Sequence, residues 1–164
     1  MKQLLLVSWL LLLSAILGLP EVKADVRMPL IFGNHMVLQQ DTRITIWGWA
    51  DAGENIEVLF AGQKVRTTAN ADGTWQVKLK PVKTKKKGET LTITGKNKLV
   101  YSDVLVGDVW VASGQSNMEW GIKVRKEYAD DIAHSEDSLL RLFFVPKNTS
   151  LQPLSEIEIP QGTA

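Results

Sequence analysis

The chain has 164 residues, 45% of them apolar and 23% charged, which excludes an intrinsically disordered or collagen-like polymer. It contains no cysteine, so thiol catalysis, thiolate metal sites and a disulfide framework are excluded. A formal net charge of +1 leaves no electrostatic footprint for nucleic acid.

Residues 1–24 read as a secretory signal peptide. Lys2 supplies the positive start, and Leu4 to Leu19 is nearly all apolar. Val22-Lys23-Ala24 offers small residues at the two positions a signal peptidase reads. The alternative is a retained anchor, but a run of roughly 16 residues is short for a bilayer span. The expected location is therefore secreted or periplasmic, with no membrane association after cleavage. Loss of Lys2, Lys23 and Glu21 leaves 17 basic and 17 acidic residues, a net charge of zero.

From residue 25 to residue 102 the pattern is β. Ile44, Ile46 and Gly48 alternate with Thr45, Trp47 and Trp49; Ile56, Val58 and Phe60 share one face of the next strand. Gln63 to Thr68 follows. Asn70-Ala71-Asp72-Gly73 is a turn of hairpin type. Trp75, Val77 and Leu79 then alternate with Gln76 and Lys78, and Leu91 and Ile93 alternate with Thr90, Thr92 and Thr94. Short strands at close spacing predict an all-β sandwich or jelly roll. Lys83, Lys85, Lys86 and Lys87, followed by Gly88, read as a solvated loop between strands, with a patch for an acidic sugar as the alternative.

The character changes after Ser102-Asp103. Val104 to Ala112 is an almost continuous apolar run, the pattern of a strand buried on both faces of a parallel sheet. A helix is predicted over about Lys126 to Asp137, and a second buried strand over Leu139 to Val145. Strand, helix and strand predict a βαβ unit opening an α/β domain over residues 103–164, with the boundary near Ser102. Pro146, Pro153 and Pro160 mark the tail as loop. One crossover cannot cover both faces of a parallel sheet, so this α/β domain is expected to be truncated.

Chemistry concentrates at Gly114-Gln115-Ser116-Asn117. A serine just past a buried strand stands where open α/β sheets place their ligands. A preceding glycine permits the sharp turn that exposes the hydroxyl, and turn amides can face a developing oxyanion. The competing reading is a serine that caps a helix.

Asp103 to Trp110, running into Ser113-Gly114-Gln115-Ser116-Asn117-Met118-Glu119-Trp120, resembles the nucleophile block of sialate O-acetylesterases, serine esterases of the SGNH-hydrolase type. Met36-Val37-Leu38-Gln39-Gln40, Trp47-Gly48-Trp49-Ala50, Gly53-Glu54 and Asp72-Gly73-Thr74-Trp75 are similar to the family's β domain, and Leu140-Arg141-Leu142-Phe143 to its second α/β strand. The resemblance covers nearly all of the chain after residue 24. It implies a flavodoxin-like α/β esterase domain after the sandwich and an O-acetylated sugar or sialoglycan as substrate. It implies Ser116 as nucleophile and backbone oxyanion donor, with Gly114, Gln115 and Asn117 shaping the turn. It implies no cofactor. The family's general base is an Asp-x-x-His pair that falls beyond Ala164, so no general base is assigned in this chain. Asp131-Ile132-Ala133-His134 spells the same pattern, but on the helix that follows the nucleophile, where the family carries no base. His35 is read as structural.

No metal-ligand cluster, phosphate loop or dinucleotide fingerprint is present in the sequence. Asn148-Thr149-Ser150 has the form of a glycosylation sequon. Two other functions fit the same residues. One is a non-catalytic β-sandwich that binds glycan or a partner, in which Trp47, Trp49, Trp75, Trp110 or Trp120 would stack on sugar rings. The other is an esterase of acetylated plant polysaccharide.

Overall fold

The computed structural model describes residues 25–119 and 121–157. The expected signal peptide lies outside the described residues, as does Trp120. Among the described residues no helix is long and apolar enough to cross a membrane.

Seven strands carry the fold: β1 (Val37–Gln39), β2 (Ile44–Trp49), β3 (Asn55–Phe60), β4 (Gln63–Thr68), β5 (Thr74–Leu79), β6 (Lys85–Thr94) and β7 (Lys98–Gly107). They form a five-stranded sheet in the order β1-β7-β6-β3-β4 and a two-stranded sheet of β2 and β5. The inward residues of both sheets meet in one core. Ile44, Ile46, Trp75, Val77 and Leu79 come from the small sheet; Ile56, Val58, Phe60, Leu91, Ile93, Val104 and Val106 come from the large one. The period-2 alternation read from the sequence is therefore the division between core and solvent.

Three expectations need correction. The Asn70–Gly73 turn forms, with Gly73 at a φ of 78° and its amide bonded to Asn70 O at 3.0 Å. It does not close a hairpin, because β4 pairs with β3 and β5 with β2. The turn instead carries the chain from one sheet to the other. Lys85, Lys86 and Lys87 are not loop but the exposed start of β6. All three are exposed, so both faces of that strand end reach solvent.

The third correction concerns residues 104–112. The expected strand is regular only to Gly107, and it belongs to the sandwich. It is the end of β7, which pairs with β6 and, in parallel, with β1, Val37 standing opposite Leu105. The boundary expected near Ser102 falls within β7, at an irregularity where its pairing with β6 shifts register and Asp103 adopts a φ of 51°. Val104, Leu105 and Val106 are buried there, whereas Trp110 and Val111 are 88% and 91% exposed. The expected βαβ unit is absent among the described residues. The helix shrinks to α1 (Ala129–Ala133) preceded by single 3-10 turns at Ile122–Val124 and Lys126–Tyr128, and Leu139–Val145 forms no strand. A strand forms against a hydrogen-bonded neighbour, and among the described residues no strand pairs with either segment.

One glycine shows how tightly the small sheet is enclosed. The chain before β1 crosses β2 through a two-bond bridge, Arg27 N to Trp49 O and Trp49 N to Arg27 O, both 2.8 Å. Gly48 lies directly under that crossing. A Cβ there would run into Arg27 O and sit 3.2 Å from both Met28 Sδ and Trp75 Cζ2.

Candidate active site

The candidate site is built outward from the end of β7. Two adjacent glutamines of the Met36–Gln40 segment grip the chain as it leaves the sheet. Gln40 N donates to Gly107 O at 2.9 Å, and Gln40 Nε2 donates to Asp108 Oδ1 at 3.1 Å. Gln39 Oε1 accepts from Val109 N at 2.8 Å. The path from the sheet toward the serine is held by one backbone bond at Gly107 and by side chains of Gln40 and Gln39 at Asp108 and Val109.

Residues 108–114 then run without regular structure into a 3-10 turn, Ser116–Glu119. Met118 N donates to Gln115 O at 2.9 Å and closes the turn. Ser116 and Gln115 are exposed. The first amides of such a turn have no acceptor within it. Gly114 precedes the turn because a Cβ there would sit 2.7 Å from Met118 Cγ.

Neither histidine reaches Ser116. His134 Nδ1 donates to Asp130 O, 2.8 Å away, at the end of α1. His35 Nδ1 donates to Asp103 Oδ2 at 2.7 Å, and Arg141 Nη2 donates to the same oxygen at 3.0 Å. The two donors, His35 first and Arg141 second, hold the Asp103 carboxyl below its ordinary range. Asn34 Oδ1 reinforces the junction by accepting from Ser102 N at 2.8 Å and Ser102 Oγ at 3.1 Å. His35 and Asp103 both sit at positive φ, 62° and 51°.

Among the described residues no cluster of three or more metal-ligating side chains is present. The tryptophans divide by environment. Trp75 is core, with its indole Nε1 buried and unpartnered; Trp49 lies under Arg27; Trp47 and Trp110 reach solvent.

Sequence reasoning marked Ser116, Gly114, Gln115 and Asn117 but missed the work of Gln39, Gln40, Asp103 and Arg141. All four lie within the quoted motif strings, so the signal was present without a partner to give it meaning.

No protein-family model matches the chain. Mouse sialate O-acetylesterase is 32% identical over 141 residues, and the rat protein of the same name is 34% identical over 141. The match takes in 77% and 76% of this chain but only 26% and 25% of theirs, so the chain spans about a quarter of the length of these relatives. Among solved structures, a carbohydrate acetylesterase from Xanthomonas citri superposes with a TM-score of 0.76 at 36% identity, over 81% of this chain and 31% of that one.

These likenesses converge on esterases that act on carbohydrate. The chain belongs to the sialate O-acetylesterase family.

Proposed function

We propose that this chain carries the nucleophile segment of an exported serine esterase that removes O-acetyl groups from sialic acids or related glycans. The observation behind this reading is the position of Ser116. It is exposed on a closed turn, nine residues beyond a strand end that Gln39 and Gln40 hold through three hydrogen bonds. The hydroxyl attacks the acetyl carbonyl, a histidine takes its proton, and the free turn amides face the oxyanion. The intermediate collapses with loss of the sugar hydroxyl, which takes the proton from the histidine, and water then hydrolyses the acetyl-enzyme to acetate and free serine. Gly114, Gln115 and Asn117 shape the turn.

The proton acceptor comes from outside these 164 residues, since His35 and His134 are engaged elsewhere. The apolar stretches at Val109–Val111 and Leu139–Val145 are then the places where an α/β esterase domain would complete its sheet. Nucleophile and base act as a unit, so the 164-residue chain alone should turn over an aryl acetate little faster than buffer.

The test is acetate release from O-acetylated sialic acid and from acetylated xylan by the product of the longest reading frame that contains this chain. Ser116→Ala should lower the rate by about a thousandfold or more. A Ser116→Ala protein that keeps its rate would refute the assignment. Preference between the two substrates decides between a sialate and a plant-polysaccharide enzyme.

A further inference from the structure

The outer face of the small sheet carries a cavity whose lining does not include Ser116. Ile44 and Ile46 point into the core, so Thr45, Trp47 and Trp49 point outward. Trp49 is covered by Arg27, whose Cζ stands 4.0 Å from the ring centroid. Trp47 is left 38% exposed. Its ring is set edge-on against buried Phe32, with centroids 4.7 Å apart at 75°. The chain after residue 145 passes over this face and is tethered by Glu156 Oε2, which accepts from Arg27 Nη1 at 2.6 Å. Between them lies a cavity of about 390 Å³. Ile31, Trp47 and Leu154 give it apolar walls, and Asn148, Ser155 and Glu156 contribute polar atoms.

We infer that this cavity is a subsite for a neutral pyranose ring of a glycan, stacked on Trp47. A pyranose divides its surface as this cavity does, into an apolar C–H face and an edge of hydroxyls. The volume lies within the roughly 300–1,000 Å³ of small-molecule sites. Packing against Phe32 fixes the indole plane in advance, so little side-chain freedom is lost on binding. Among the described residues Glu156 is the only ionisable side chain in the lining, and its pairing with Arg27 leaves the lining no net positive charge to attract sialate or uronate, so neutral sugars are favoured. The ligand class rests on the carbohydrate-esterase reading, while the site itself does no chemistry and would hold a part of the glycan remote from the acetyl group.

The experiment is a fluorescence and calorimetric titration of the 164-residue chain with xylohexaose, cellohexaose and hexagalacturonate. A neutral oligosaccharide should give a saturable blue shift, and the anionic one should bind at least about tenfold more weakly. Trp47→Ala should cost about tenfold in affinity, Trp47→Phe less, and Trp110→Ala nothing. If Trp47→Ala does not fold, Leu154→Arg fills the cavity from its exposed wall and should give the same loss. The inference is overturned if neither neutral oligosaccharide saturates, if hexagalacturonate binds equally well, or if the cavity variants bind as the parent does. Ser116→Ala should leave every titration unchanged, so failure of the esterase reading shows in acetate release and failure of the subsite shows in binding.

Discussion

Substituting Gly48 by alanine tests the packing of the small sheet. The added methyl would collide with Arg27 O, a backbone atom held in place by the 2.8 Å bond from Trp49 N and its reciprocal. Two responses are open. The crossing segment can lift away and lose both bridge bonds, at about 0.5–1.5 kcal/mol each. Otherwise it can stay and compress Met28 and Trp75, where overpacking costs typically about 1–3 kcal/mol. Either way the loss is about 1–3 kcal/mol. For a domain of about 60–100 residues, each kcal/mol lowers Tm by roughly 4–8 °C, so the transition should fall by roughly 4–24 °C. Calorimetry, with urea unfolding followed by tryptophan fluorescence, measures it. Gly33→Ala is the control, because a Cβ at Gly33 meets nothing within 4 Å. That variant should melt within a few degrees of the parent. Equal Tm values for Gly48→Ala and the parent would show that the crossing does not have this geometry.

Three further perturbations bear on other parts of the molecule. Phe60 is 1% exposed at the centre of the core, and Phe60→Ala should cost about 3–5 kcal/mol in urea unfolding. Glu54 is buried and accepts from Lys96 N at 2.6 Å and Asp51 N at 3.2 Å, joining two turns; Glu54→Ala should cost about 2–4 kcal/mol, read from the same curves. The Asp103 carboxyl lies below its ordinary range because of His35 and Arg141, and Glu57 lies below its own because of Lys64 and Arg66. Such depressed groups stabilise the fold above their unfolded pKa, so Tm should hold near neutrality and fall as pH drops below about 4. In Asp103→Asn that acid decline should be shallower, with a lower Tm at pH 7; an unchanged profile would show that the His35–Asp103–Arg141 contact contributes nothing.

The sandwich was legible because its strands are half-buried and alternate in polarity, a pattern that Ile44–Trp49, Ile56–Phe60 and Trp75–Leu79 display in their own residues. Sheet membership was not legible. Nothing in Asn70–Gly73 distinguishes a turn that closes a hairpin from one that crosses between sheets, since both need the same positive φ at Gly73. The parallel pairing of β1 with β7 joins residues nearly seventy apart in the chain and leaves no local trace. The run Val104–Ala112 misled for a physical reason: a continuous apolar segment records that burial is required, not which surface provides it. Its first half is buried by β1 and β6, while Trp110 and Val111 stand in solvent. Ser116 itself was visible through its motif, whereas the Gln39–Gln40 grip that directs the chain toward it depends on a fold that brings residue 39 beside residue 109.

The strand β7 begins in the body of the sandwich and ends at the approach to the serine, paired with β6 on both sides of the irregularity at Asp103. Such a junction constrains descent as well as geometry. A recombination breakpoint at Ser102 would sever a strand from both its hydrogen-bonded neighbours, so the two parts of a gene like this one cannot be exchanged there as independent modules. A change at Asp108 must instead be matched by a change at Gln40, whose Nε2 donates to its carboxylate, and the two positions are expected to covary across relatives as if they were one site.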